Sequence, residues 1–178
     1  MIDLTIVENA LHDWIVAATG IPADHVLWAD QAFERPSDDA PWVAMRIETI
    51  QRIGQDWHVS SDHPAPTAGA EILHTVNGNR TATLTIQCFR GSPTGTTRPQ
   101  AYLDAAVMGI TLPARRAAFL AAGIGIGEIS PIRNIGDVIS FARFEPRAVV
   151  EVTLLLAGTA TSTGTYIEIV TLEGAVTP

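Results

Sequence analysis

The clearest pattern in the chain is RTATLTIQCF, residues 80–89, where Ala82, Leu84, Ile86 and Cys88 alternate with Thr81, Thr83, Thr85 and Gln87. Period-two alternation predicts a strand with one face in a core and one polar face. Residues 147–156 repeat it: Ala148, Val150, Val152, Leu154 and Leu156 share one parity, and Arg147, Val149, Glu151, Thr153 and Leu155 the other. In residues 42–53, Val43, Met45, Ile47 and Ile53 share the apolar parity, and Trp42, Arg46, Glu48 and Arg52 the polar one. Such half-polar strands belong to antiparallel sheets with one covered face. Shorter strands are expected at 25–29, 124–132 and 166–172, the last within YIEIVTLEG.

Other segments have a helical period. In residues 5–18, Val7, Leu11, Trp14 and Ala18 recur at helical spacing, widened by Ala10 and Ile15. Thr5 followed by Glu8 fits a capping box, with Asp3 as the alternative start, and Gly20 is a suitable stop. Residues 100–110 and 113–122 read as two short helices, or one broken at Pro113. Residues 54–78 follow neither period and are expected to leave the core, with 56–60 and 71–76 as the arms of a long β-ribbon. A connection of that length has a purpose of its own or is disordered. GTATSTGT, residues 158–165, reads as a loop. The order of helix, strands, helix pair and strands predicts an α+β fold, a mainly antiparallel sheet with helices packed on one face. The 178 residues fit one domain.

Charge narrows the choice of partners. The net charge is -8, and all 11 basic residues are arginine. The first 62 residues hold 11 acids and 3 arginines, whereas the remainder holds 8 of each. No basic stripe of the kind that marks a nucleic-acid binder is present. One cysteine excludes an intramolecular disulfide framework. No signal-peptide pattern or 18-residue apolar run is visible, so no membrane span is expected.

Candidate chemistry is sparse. Asp56, His58, Asp62 and His63 are metal-ligating types close in sequence, but they follow no ligand signature and read as a polar exposed loop. Cys88 points inward from its strand, away from any base or solvent. GIGIG, residues 123–127, follows a helix instead of opening one and lacks the phosphate-loop lysine. Glu8, His12 and Asp13 have spacings of surface polar contacts. Arg143, Glu145 and Arg147 share a parity at the entry to a core strand, with Pro146 interrupting. Arginine forks there suit an exposed strand end with local ion pairs, or a subunit contact. Neither an enzyme, a metal site nor a cofactor site is expected.

Several segments together carry a resemblance. They are LHDWIVAATGIPADHVLWADQ at 11–31, RPSDDAPWVAMRI at 35–47, the helix pair between Gln100 and Ala122, the FEPRA lead-in at 144–148, and YIEIVTLEG. In this order the chain is similar to the tail-terminator or neck-terminator proteins of tailed bacteriophages; residues 54–78 have no match in that pattern. The resemblance implies a structural virion protein at the head–tail interface, made in the host cytoplasm. It implies a homo-oligomeric ring, commonly of six copies, that caps the tail tube protein and meets a head-completion or connector protein. DNA would pass through the lumen without sequence-specific binding. A ring needs two different complementary faces on each subunit. Trp42, Arg46, Glu48 and Arg52 are candidates for one, and Arg143, Glu145 and Arg147 for another. Readings left open are a head–tail completion or minor tail protein, a soluble binding module, and a metal-dependent hydrolase using His58 and His63.

Overall fold

The first helix, α1, runs Leu4–Thr19 and buries Val7, Leu11, Trp14 and Ile15 on one stripe. Its N-cap is Asp3, whose carboxylate accepts hydrogen bonds from the Thr5 and Ile6 N–H groups at 3.0 and 3.3 Å. The Asp3 start therefore replaces the capping box on Thr5, because a carboxylate already serves the orphan donors of the first turn. Gly20 ends the helix at φ 70, a left-handed position that glycine takes without a Cβ clash. Helices α2, Pro99–Ile110, and α3, Pro113–Ala121, each open on proline. The missing N–H costs nothing in a first turn, so Pro113 starts a second helix where it would have broken a single one.

The structure, a computed structural model, describes residues 2–31, 36, 40–67, 69–90, 97–135, 137–140 and 143–165. The strands are β1 Val26–Trp28, β2 Trp42–Thr67, β3 Ala70–Phe89, β4 Ile124–Ile129, β5 Arg133–Asn134, β6 Asp137–Ser140, β7 Arg143–Glu145 and β8 Arg147–Gly164. Six of them form one sheet in the order β1-β2-β3-β8-β4, with β5 also paired to β8; β6 and β7 form a separate two-stranded sheet. β1 lies parallel to β2, and the remaining pairs are antiparallel. The fold is α+β. The expected strand at 166–172 lies outside the described residues.

Register explains the core. Val43, Cys88 and Ala148 lie side by side across β2, β3 and β8, as do Met45, Ile86 and Val150. Directly opposed residues share a face, so these rows put one apolar face under the helices. That face joins Val7, Leu11, Trp14, Leu103, Ala106 and Phe119 in one cluster. Trp14 is its keystone. Its indole N–H donates to the Ala106 carbonyl at 2.9 Å, and its ring meets Phe119 edge-on at 5.6 Å. One side chain thus ties three helices together.

Cys88 sits in this layer, and burial pushes its thiol pKa up to about 12. Thiolate is the reactive form, so Cys88 in the folded protein should resist a maleimide at neutral pH. Labelling should appear only as denaturant unfolds the chain. Rapid labelling without denaturant would show that this strand opens locally.

Two regions run beyond what periodicity indicated. β2 has 26 residues and β3 has 20. At about 3.3 Å per residue, β2 reaches on the order of 80 Å. No described residue between Met45 and Ala82 is among the buried hydrophobic core, so the outer parts of both strands form an arm that leaves the packed body. GTATSTGT is not a loop. β8 continues to Gly164 and pairs with β3 as far as Ile72. The arm therefore has three strands over most of its length. Threonine is well suited to such a pleated surface, and backbone pairing holds the segment without core burial.

Candidate assembly interface

Bulges decide which way the arm's side chains point. Ile47 pairs with Leu84 but Thr49 pairs with Thr83, which leaves Glu48 as an extra residue. An extra residue reverses the parity beyond it. Arg52 then lies opposite Arg80, on the face that also carries Ala82 and Leu84, whereas Ile53 lies opposite Asn79 on the other face. The expected parity of residues 42–53 is thereby corrected: Ile53 does not share the face of Val43, Met45 and Ile47, and Arg52 does not share that of Trp42 and Arg46.

The candidate residues have distinct surroundings. Trp42 is only 7% exposed and stacks on Phe89 with centroids 3.9 Å apart and planes 3° from parallel. The Arg147 guanidinium lies 5.6 Å from the Phe89 centroid, so the three side chains form a layered row across β2, β3 and β8. Arg46 is exposed and pairs with Asp30 at 3.1 Å. Glu48 is exposed at its bulge. The Arg52 Nε–H donates to the Gly54 carbonyl at 3.0 Å. Arg143 and Glu145 belong to β7 and Arg147 to β8, with Pro146 between the strands and its carbonyl accepting from the Arg90 N–H at 3.1 Å. The shared parity expected of these three charges therefore spans two separate sheets. Phe141 and Ala142 lie outside the described residues.

A second bulge builds the base of the arm, and the sequence pattern missed it. Ile53 pairs with Asn79 and Trp57 with Asn77, so Gly54, Gln55 and Asp56 face the single residue Gly78. Over Gly78 the Asp56 carboxylate accepts two hydrogen bonds from Arg80, at 2.7 and 3.1 Å. A Cβ on Gly78 would run into the Asp56 carboxylate and lie 2.6 Å from the Arg80 guanidinium. Glycine is the residue that leaves the pair its room. Gly158 lies opposite Gly78 on β8, and Ile2 packs over it. These residues line a cavity of about 250 Å³ with Val76 and Ala160.

The Arg80 hydrogen bonds hold the Asp56 carboxyl below its ordinary pKa. Partial burial opposes the shift, and the charges of Arg80, Arg52 and His58 reinforce it. A carboxylate depressed on folding contributes stability above its unfolded pKa of about 4 and loses it as pH falls through the lower folded value. Hydrogen exchange in the arm should therefore be flat from neutral pH to about 4, once corrected for intrinsic rates, and accelerate below that. Asp56→Asn should exchange faster above pH about 4, lack the acid step and converge with the wild type below it; an unchanged profile would refute the role of this pair.

Two of the metal-ligating types have other partners. Asp56 is committed to Arg80, and His63 Nδ1 accepts from the Ala65 N–H at 3.1 Å. Among the described residues, no group of three His, Cys, Asp or Glu is placed to hold a metal ion. All of GIGIG but Gly123 lies in the edge strand β4. No described helix is long and apolar enough to cross a membrane.

The surface offers assembly features instead. Beyond Met45, the outer edge of β2 has no strand partner among the described residues, and neither does that of β8 beyond Leu156. Unpaired strand edges are templates for pairing with another chain. Trp57, 71% exposed, and Val59 stand on one face of the arm with threonines 75, 159 and 161.

The model of a family described as phage neck terminator protein matches residues 5–177. Among solved structures, one match is the sheath/tube terminator of the PVC extracellular contractile injection system in its extended state, at 13% identity and a TM-score of 0.49. That alignment covers 99% of this chain and 64% of the other, so the chain spans about two thirds of that terminator's length. Comparison with the curated proteins returns no match. Matched over nearly its whole length, the chain belongs to the phage neck terminator proteins, a family of structural virion components and not of enzymes.

Proposed function

We propose that the protein assembles as a ring on the end of the tail tube, stops tube growth and joins the tail to a head-completion or connector protein. The match to the neck terminator family over residues 5–177 carries this reading. In it, residues 1–178 act as one terminator domain, six copies close the ring in the virion neck, and DNA passes through the lumen. The net charge of -8 favours passage over retention, because DNA binding grows with the number of phosphates neutralised. The arm, spanning residues 54–78 and the outer part of β8, reaches a neighbour or the tube. Arg46 and Glu48 on the exposed sheet surface, with Arg143, Glu145 and Arg147 near the β7–β8 junction, supply contacts to the partners.

The test is tail length. Extracts of cells making the virus without this protein should contain tubes longer than those of the complete particle, and these should not join heads. Adding the purified protein should restore both length and joining. Tubes of normal length in its absence would contradict the proposal.

A further inference from the structure

The ring reading leaves open which surfaces meet between neighbouring copies, and the two ends of the sheet answer it. At one end, β1 and α1 enclose a groove of about 460 Å³ lined by Glu8, Asn9, His12, Val26, Trp28 and Gln31. At the other, β4 and α3 enclose a groove of about 620 Å³ lined by Ile110, Arg116, Phe119, Leu120, Ile124 and Ile126. Each groove lies between a helix and an edge strand with no further strand beside it among the described residues.

The charges are opposite. Residues 4–28, which build the first end, carry Glu8, Asp13 and Asp24 and no arginine. At the second end, helix α3 carries Arg115 and Arg116 and no acid, and β4 adds one exposed acid, Glu128, so this end is net positive. Neither arginine has an ion-pair partner among the described residues. The basic end is also apolar, with Leu120 79% exposed and Met108 and Leu112 largely open to solvent. Exposed apolar surface of this kind marks a contact site.

We infer that the β1/α1 end of one copy docks against the β4/α3 end of a second copy, setting Glu8 toward Arg116. The inference rests on the ring reading and names its seam. A heterologous contact between two different ends is the kind that closes a ring. Continuity along the molecule favours the same occupant. β2 continues from the β1 end and β8 from the β4 end, each with a free edge along the arm. Docking the two ends therefore brings the free β2 edge of one arm beside the free β8 edge of the next. Charge complementarity fixes the partner's orientation more than it adds affinity.

The experiment uses the full chain with both Glu8→Cys and Arg116→Cys, added to tail tubes from particles lacking this protein. Cys88 stays buried and does not interfere. Under a short thiol cross-linker, the double variant should give a ladder of covalent oligomers up to the closed ring. Each single variant alone should stay monomeric on a denaturing gel, and an equimolar mixture of the two should give dimers. Reversing the charges with R115E and R116E should reduce the fraction of capped tube ends, and adding E8R should recover part of it. Melting curves of the free variants confirm that they fold. Rings on tube ends without the cross-link, or cross-links in a single variant, overturn the seam and leave the ring reading standing. Wild-type protein that forms no ring on tubes overturns the ring reading itself.

Discussion

Replacing residues 54–78 by an Asn-Gly turn between Ile53 and Asn79 should abolish tail joining and leave the folded body intact. Ile53 and Asn79 are directly paired, so a tight two-residue turn can close the strands there. Among its described residues, the removed segment contains no buried hydrophobic core residue. It does contain exposed Trp57, the Asp56 carboxylate that bonds Arg80, and most of the surface on which the outer part of β8 pairs. The thermal midpoint should therefore move by only a few degrees, because surface changes away from buried features are worth roughly 0.5 kcal/mol each. Joining of tails to heads in a complementation assay should fall to background. Normal joining by the shortened chain would show that the arm makes no essential contact. Loss of the folded state would show instead that the body depends on the arm.

The largest effect on stability is expected at Trp14. The side chain is fully buried, its indole N–H serves the Ala106 carbonyl, and its ring meets Phe119. Trp14→Ala should cost about 3–5 kcal/mol through lost burial and a residual cavity. At roughly 2–4 °C per kcal/mol for a domain of this size, the midpoint should drop by about 10 °C or more. Trp14→Phe keeps most of the apolar contact but removes the indole hydrogen bond to the Ala106 carbonyl, a loss of about 0.5–1.5 kcal/mol. Circular dichroism melts of both variants give the comparison. Equal losses would assign the effect to the hydrogen bond; a negligible loss for alanine would mean that the helices pack without this link.

The core was legible wherever burial imposed a period. The alternation through residues 80–89 and 147–156 gave the faces of β3 and β8, and the stripe of Val7, Leu11 and Trp14 gave the buried side of α1. Legibility stopped where burial stopped. Residues 54–78 and 158–165 are strands held by backbone pairing on an exposed ribbon, so no apolar period marks them. Glu48 carries no sign of being a bulge, yet it reverses the parity after it and separates Arg52 from Trp42 and Arg46. Trp42 looked like a surface aromatic because its stacking partner, Phe89, is 47 positions away in sequence and adjacent only through the β2–β3 register. The Asp56–Arg80 pair was hidden for the same reason, and Gly78 beneath it was the one local sign.

The central claim concerns the end of the tube, and electron microscopy tests it most directly. Purified protein is mixed with tail tubes from particles that lack it, and the ends are imaged and averaged. The account predicts one ring on one end of each tube, with density for six copies and an open lumen. Tubes with both ends bare, or protein distributed along the tube wall, would contradict it.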